Sequence, residues 1–243
     1  MNFLFPVLDL QITLRCNAHC LNCIKFCNMK QQTGLDYSDS DMTIDQIDKA
    51  INQIKSFERP NVFKSIFITG GEPVLHKQLE EIINKFINLQ AEGYFTDLFI
   101  NSNLKKEAPE PIRKYIINFS KPEDNKLIHN TVLIHPKDFC DSPKTYKTCT
   151  HYRKNRVVLN YLGYSLCCAG DAYIRLFNYE DLIVNHLPQS INDFPNMDKI
   201  CVHCPFSNDT KIPLEKNAGC PVSDVYYIEA RLNRKGRAIT KRF

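Results

Sequence analysis

Residues Ser65 to Leu89 read SIFITGGEPVLHKQLEEIINKFINL, and the fold turns on this stretch. Ser65 to Thr69 is a short apolar, β-favouring run, stopped by Gly70, Gly71 and Pro73. Leu79, Ile82, Ile83, Phe86, Ile87 and Leu89 then recur at helical spacing, and Gly93 closes the run. The stretch predicts a strand, a tight turn and an amphipathic helix.

The same alternation extends on both sides. Upstream, Val7 to Leu14 is an apolar strand, and Asp39, Ser40 and Asp41 precede Met42 as a helix-start signal. Ile44, Ile47, Ile51 and Ile54 continue that helix to Phe57. Downstream, strands are expected at Thr96 to Ile100, ending in Asn101, Ser102 and Asn103, at Tyr115 to Phe119, ending at Ser120, and at Thr131 to His135, ending at Pro136. Strands alternating with helices predict an α/β fold with a parallel sheet.

After Pro136 the rhythm changes, because Phe139 to Asn155 is rich in Lys, Thr, Pro and Cys without helical periodicity. A boundary is expected near residue 138. Val157 to Asn160 and Tyr164 to Cys168 flank Leu162 and Gly163 as a β-hairpin, followed by irregular cysteine-bearing loops over the rest of residues 139–228. Residues 229–243 form a basic tail, in which the stretch Arg231 to Phe243 holds Arg231, Arg234, Lys235, Arg237, Lys241 and Arg242 and no acidic residue, expected to be solvated and frayed.

Hydrophobic residues are 43% and charged residues 24% of the 243, a globular composition that excludes disordered, collagen-like and coiled-coil chains. A dispersed net charge of +4 does not call for a nucleic-acid partner. No apolar run of about 18 residues and no signal-peptide pattern occurs, so a cytoplasmic protein without a membrane partner is expected. In a reducing compartment the eleven cysteines point to metal ligation or redox chemistry, not disulfides.

Cys16, Cys20 and Cys23 stand in a C-x3-C-x2-C array at the end of the first strand. Thiolates packed this closely suit an iron-sulfur cluster or zinc, and three of them leave a four-iron cluster one ligand short, open to a small chelating molecule. Cys27, four residues on, reads equally as a further thiolate or as a small buried hydrophobe.

The array, followed by Gly70-Gly71-Glu72-Pro73 after the second strand, resembles the radical S-adenosylmethionine (radical SAM) superfamily over about residues 8–136. The resemblance implies a partial TIM-like (β/α) barrel and a [4Fe-4S] cluster on Cys16, Cys20 and Cys23 that coordinates S-adenosylmethionine. It implies that the edge Gly70, Gly71 and Glu72 binds the methionyl amino group. Ser102 and Asn103 look like the family's Thr-Asn-Gly, with Leu104 where glycine is usual, and Ser120 resembles its ribose-contacting residue. Asn22 stands where many members have an aromatic beside the adenine. Cleavage to methionine and a 5′-deoxyadenosyl radical, which abstracts a substrate hydrogen, is the implied activity, with flavodoxin or ferredoxin as electron donor.

Beyond the barrel, Cys201 and Cys204 form a CxxC loop. Cys149-x13-Gly163-x4-Cys168 before that loop resembles the superfamily's Twitch extension, a short relative of SPASM, and implies a second [4Fe-4S] cluster on Cys149, Cys168, Cys201 and Cys204. Spacing leaves Cys167 and Cys168 interchangeable by a one-residue shift, and a structural zinc on the same thiolates is the alternative occupant. Cys140 and Cys220 have no partner by spacing. The expected function is oxidation of a small polar, sugar- or cyclitol-like molecule, with the second cluster as electron acceptor. The alternatives are radical modification of a peptide or protein, and a zinc-stapled nucleic-acid-binding module. His129, His135, His151, Tyr152 and Arg153 are candidates for an acid or base.

Overall fold

A computed structural model describes residues 4–20, 23–57, 61–117, 149, 156–195, 197–204, 224–226, 228 and 243. In order they build β1 (Phe5–Thr13), α1 (Lys30–Thr33), α2 (Ile44–Lys55), β2 (Phe63–Gly70), α3 (Leu79–Ala91), β3 (Phe95–Asn101), β4 (Ile116–Ile117), β5 (Arg156–Asn160), β6 (Gly163–Leu166), α4 (Cys168–Phe177) and α5 (Asp198–Cys201). The strands form one open sheet in the order β4-β3-β2-β1-β5-β6. All neighbours are parallel except β5 and β6, which pair as a hairpin. The result is the expected α/β fold, an open partial barrel of the TIM-like kind.

The sheet has two unlike faces. Leu8, Leu10 and Ile12 of β1 lie with Ile66, Ile68, Leu98 and Ile100 in one hydrophobic core, which also takes the apolar stripes of α2 and α3. Ile82, Ile83 and Phe86 of α3 are wholly buried there, and burial of each contributes about 2 kcal/mol. The opposite face is polar. It carries Asp9, Gln11 and Thr13 of β1 and Thr69 of β2, all buried, because side chains alternate along a strand.

Several local features differ from the sequence reading. The N-cap of α2 is Thr43, in a capping box with Gln46, not the Asp39–Asp41 turn. The hairpin joins the main sheet directly, with Val7 to Leu10 of β1 registered on Arg156 to Leu159 of β5. Where irregular loops are expected after it, α4 runs for ten residues, and every one of them after Cys168 is buried. At the chain's end Phe243 is docked, its ring edge-on to Tyr164 at 5.4 Å and its carbonyl oxygen accepting a hydrogen bond from Gln46. The predicted strand at 131–135, the boundary near 138 and residues 229–242 of the tail lie outside the described residues.

Candidate functional site

The C-terminal ends of β1, β2 and β3 converge on one place. After a register shift between Gln11 and Thr13, the β1 backbone closes on the glycine pair, with Gly71 N–H donating to Thr13 O and Glu72 N–H to Arg15 O, both at 2.8 Å. A Cβ at Gly70 would lie 1.9 Å from Thr13 O, and one at Gly71 would lie 2.2 Å from Arg15 O. Both positions therefore require glycine, and the pair fixes where the cysteine loop leaves the sheet.

That loop is held on several sides. The Asn28 side-chain amide donates to the carbonyls of Cys16 at 2.9 Å and Ala18 at 2.5 Å, from a residue in the left-handed region at φ 58°. Phe26, also left-handed at φ 56°, is wholly buried against the rings of Tyr173 and Tyr226. Arg15 donates twice to Asp41, at 2.9 and 2.6 Å, and once to Leu75 O at 2.7 Å. Ser40 Oγ accepts from Leu14 N–H at 3.0 Å. The acidic turn read as a helix start thus clamps the end of β1.

Cys16, Cys20 and Cys23 line one cavity of about 80 Å³ together with Lys25, Cys27, Gly70, Gly71, Asn101 and Asn103. None of these cysteines is in a disulfide. Burial, reinforced by Cys23 and Cys16, pushes the Cys20 thiol up to about 11, and burial likewise raises Cys16. Cys27 is fully buried, and its hydrogen bond to Cys23, followed by burial, raises its thiol well above the usual range.

Glu72 is buried, and its carboxylate accepts three hydrogen bonds from the chain. Oε1 accepts from Ser102 Oγ at 2.8 Å and Val74 N–H at 3.1 Å, and Oε2 from Asn103 N–H at 2.6 Å. Asn103 in turn directs its side-chain amide to Asn17 Oδ1 at 2.8 Å and toward Cys16 Sγ at 3.8 Å. Leu104, where the resemblance has glycine, adopts φ 57° and is exposed. Its backbone takes the left-handed form that glycine enters without cost. Gly70, Gly71, Glu72, Ser102 and Asn103 thus gather at the cysteine loop, whereas Asn22 and Ser120 lie outside the described residues.

Of the second cysteine set, Cys167 and Cys168 stand at the start of α4. Cys167 is its N-cap, at φ 57° and ψ 155°, and its Sγ accepts from Gly170 N–H at 3.2 Å. Burial raises the Cys167 thiol, and Cys168, Cys204 and Cys201 act on it electrostatically. Burial, with Cys149 and Asp198, pushes Cys201 up to about 12. Cys168 looks elsewhere. Its thiol is raised by burial and then by Asp9, with Lys25 and Arg156 opposing, so it stands toward the polar face of the sheet. Among the described residues, no three His, Cys, Asp or Glu side chains are gathered tightly enough for a single metal ion.

A buried network ties the two cysteine regions together. Arg175 of α4 donates to Asp171 at 3.2 and 2.9 Å, to Lys25 O at 3.2 Å and to the Tyr37 hydroxyl. The other Asp171 oxygen accepts from Asn160 at 2.7 Å and Ser165 at 3.2 Å. Neither Arg175 nor Asn28 carries a sequence signal of this role, since each acts through loop carbonyls that only the fold brings near. Cys140, Cys220, His129, His135, His151, Tyr152 and Arg153 lie outside the described residues. No described helix is long and apolar enough to cross a membrane.

No protein-family model matches the chain, and no curated protein matches it either. Among solved structures, the crystal structure of BtrN in complex with AdoMet and 2-DOIA is similar at 14% identity and a TM-score of 0.39, over 70% of this chain and 75% of that one.

Proposed function

We propose that the chain is a radical SAM enzyme that oxidises a small polar molecule, holding one [4Fe-4S] cluster on Cys16, Cys20 and Cys23 and a second on Cys149, Cys167, Cys201 and Cys204. The observation that carries this reading is the shared cavity of Cys16, Cys20 and Cys23 with Gly70, Gly71 and Asn103 at the strand ends. Half-exposed thiols beside tightly apposed backbone fit a cluster with one iron open to a ligand.

When bound, the cluster and S-adenosylmethionine supply a 5′-deoxyadenosyl radical that takes a hydrogen atom from the substrate. The chain's own residues position the parts. Glu72 is held by Ser102, Asn103 and Val74, and Gly70, Gly71, Asn101 and Asn103 line the cavity at the strand ends where the methionyl group would be recognised. Asn28, Phe26 and Arg175 hold the cysteine loop from behind.

For the second cluster, Cys167 is favoured over Cys168 because Cys201 and Cys204 lie within its electrostatic reach, while Cys168 stands toward Asp9, Lys25 and Arg156. The sparsely populated backbone form of Cys167, at φ 57° and ψ 155°, is the kind retained at functional positions. A four-iron cluster binds each thiolate at a different iron, so its ligands stand wider than the tetrahedron about 2.3 Å around a zinc ion.

The test is anaerobic reconstitution with iron and sulfide, followed by dithionite and S-adenosylmethionine. Wild type should form 5′-deoxyadenosine and methionine, and Cys20→Ala should form neither. Product from Cys20→Ala at the wild-type rate would remove the assignment.

A further inference from the structure

The polar face of the sheet carries more hydrogen-bonding demand than the fold satisfies. Gln11 is wholly buried there, and neither its side-chain oxygen nor its nitrogen has a partner among the described residues. A buried amide left unpaired at both ends is costly and calls for an explanation. Its neighbour in the β1–β2 register is Thr69. The Thr69 hydroxyl donates to Asp9 and accepts from Lys25 Nζ at 2.9 Å.

One step back along the same face of β2 lies Phe67, whose ring centroid is 5.0 Å from that of Phe99. The Arg156 guanidinium reaches across from β5 to within 5.6 Å of the Phe67 centroid. Two residues of a strand span about 6.6 Å, so Thr69, which Lys25 bonds, and Phe67, over which Arg156 lies, are about that far apart along β2, with Asp9 the register partner of Phe67. Lys25, Phe67, Phe99 and Arg156 are all half-buried, as is Cys168, whose thiol feels both cations.

The described carboxylates leave these cations in surplus. Asp9 meets Lys25 only through the Thr69 hydroxyl, Asp97 sits further from the cysteine end and is bonded by Ser65 at 3.2 Å, and Asp171 is taken by Arg175. Two positive groups against one available carboxylate, above an aromatic floor, favour an anionic ligand.

We propose that this face seats the carboxylate or phosphate of a small molecule, held between Lys25 and Arg156 with its carbon skeleton against Phe67 and Phe99. Lys25 also lines the cysteine cavity, so a ligand on it lies beside the proposed cluster. The role as substrate seat rests on the proposed function, whereas the binding itself needs no iron. The anion belongs either to S-adenosylmethionine or to a separate molecule.

The experiment is equilibrium dialysis of inorganic phosphate, at ionic strength matched with sodium chloride, against anaerobically purified protein whose iron is measured in parallel. Saturable binding of about one phosphate per chain is expected. Lys25→Met and Arg156→Met should each weaken it about tenfold, while Arg156→Lys, which keeps the charge, should weaken it less than Arg156→Met. Lys199→Met removes a surface ammonium paired with Asp181 and should leave binding unchanged. Absence of saturable binding in wild type, or equal binding by the Lys25→Met/Arg156→Met double variant, would overturn the proposal. Displacement of phosphate by S-adenosylmethionine would support the seat and assign its anion to that molecule's carboxylate; simultaneous binding would support it and assign the anion to a second molecule. Low iron with intact phosphate binding would count against the cluster reading alone.

Discussion

Glu72, just past β2, and Asn103, just past β3, are joined by a 2.6 Å hydrogen bond in which the Asn103 N–H donates to Glu72 Oε2. The bond sets the height of the β3 loop over the cysteines, because the same asparagine directs its side chain to Asn17 and Cys16. Glu72→Gln keeps the shape but removes the charge. It should lower unfolding free energy by about 2 kcal/mol in urea titration, and an unchanged midpoint would show the bond to be dispensable.

Leu104 offers the opposite case. It holds an exposed left-handed backbone at φ 57°, which costs a residue with a Cβ about 1 kcal/mol. Leu104→Gly should therefore gain up to about 1 kcal/mol despite the greater unfolded-state entropy of glycine. A loss in thermal stability would contradict this.

The Arg175–Asp171 pair is wholly buried and spans α4, the hairpin and the cysteine loop. Removing one member leaves an uncompensated charge, so Asp171→Asn or Arg175→Met should each cost about 3–5 kcal/mol. The two losses should be strongly non-additive in the double variant, as read by a double-mutant cycle. Additive losses would mean that the groups act separately.

Asp41 gives a pH dependence with a definite sign. Burial raises its carboxyl, but hydrogen bonds from Arg15 and Thr13 outweigh that and hold it below the ordinary value. Its contribution is present above the unfolded carboxylate value of about 4 and is lost as pH falls through the lower folded value. The stability difference between wild type and Asp41→Asn should be flat above about pH 5 and shrink below about pH 4. A difference that grows on acidification would reverse the sign.

The sheet and its two long helices were legible because each apolar run has a period and an end signal, as Ser65–Gly71 and Leu79–Gly93 show. The glycine pair was legible as a turn, but its real constraint, the backbone of Thr13 and Arg15 within a bond length or so of any Cβ, belongs to the β1–β2 register. Helix α4 carries weaker start signals: it begins at a cysteine rather than a Ser, Thr, Asp or Asn cap, and Gly170 stands in its first turn. The choice between Cys167 and Cys168 was also open in the sequence. Adjacent residues differ only in the direction of the side chain, and that direction is set by the left-handed backbone at Cys167. Asn28 and Asp41 likewise act through contacts 10 and 26 residues away, which spacing does not reveal.

The most direct test of the central claim is iron and sulfide per chain after anaerobic reconstitution, in wild type, the Cys16/Cys20/Cys23→Ala triple variant, Cys167→Ala and Cys168→Ala. The account predicts about eight irons in wild type, about four in the triple variant, about four in Cys167→Ala and about eight in Cys168→Ala. Undiminished iron in the triple variant would contradict the cluster assignment, and loss of iron in Cys168→Ala but not in Cys167→Ala would contradict the second ligand set.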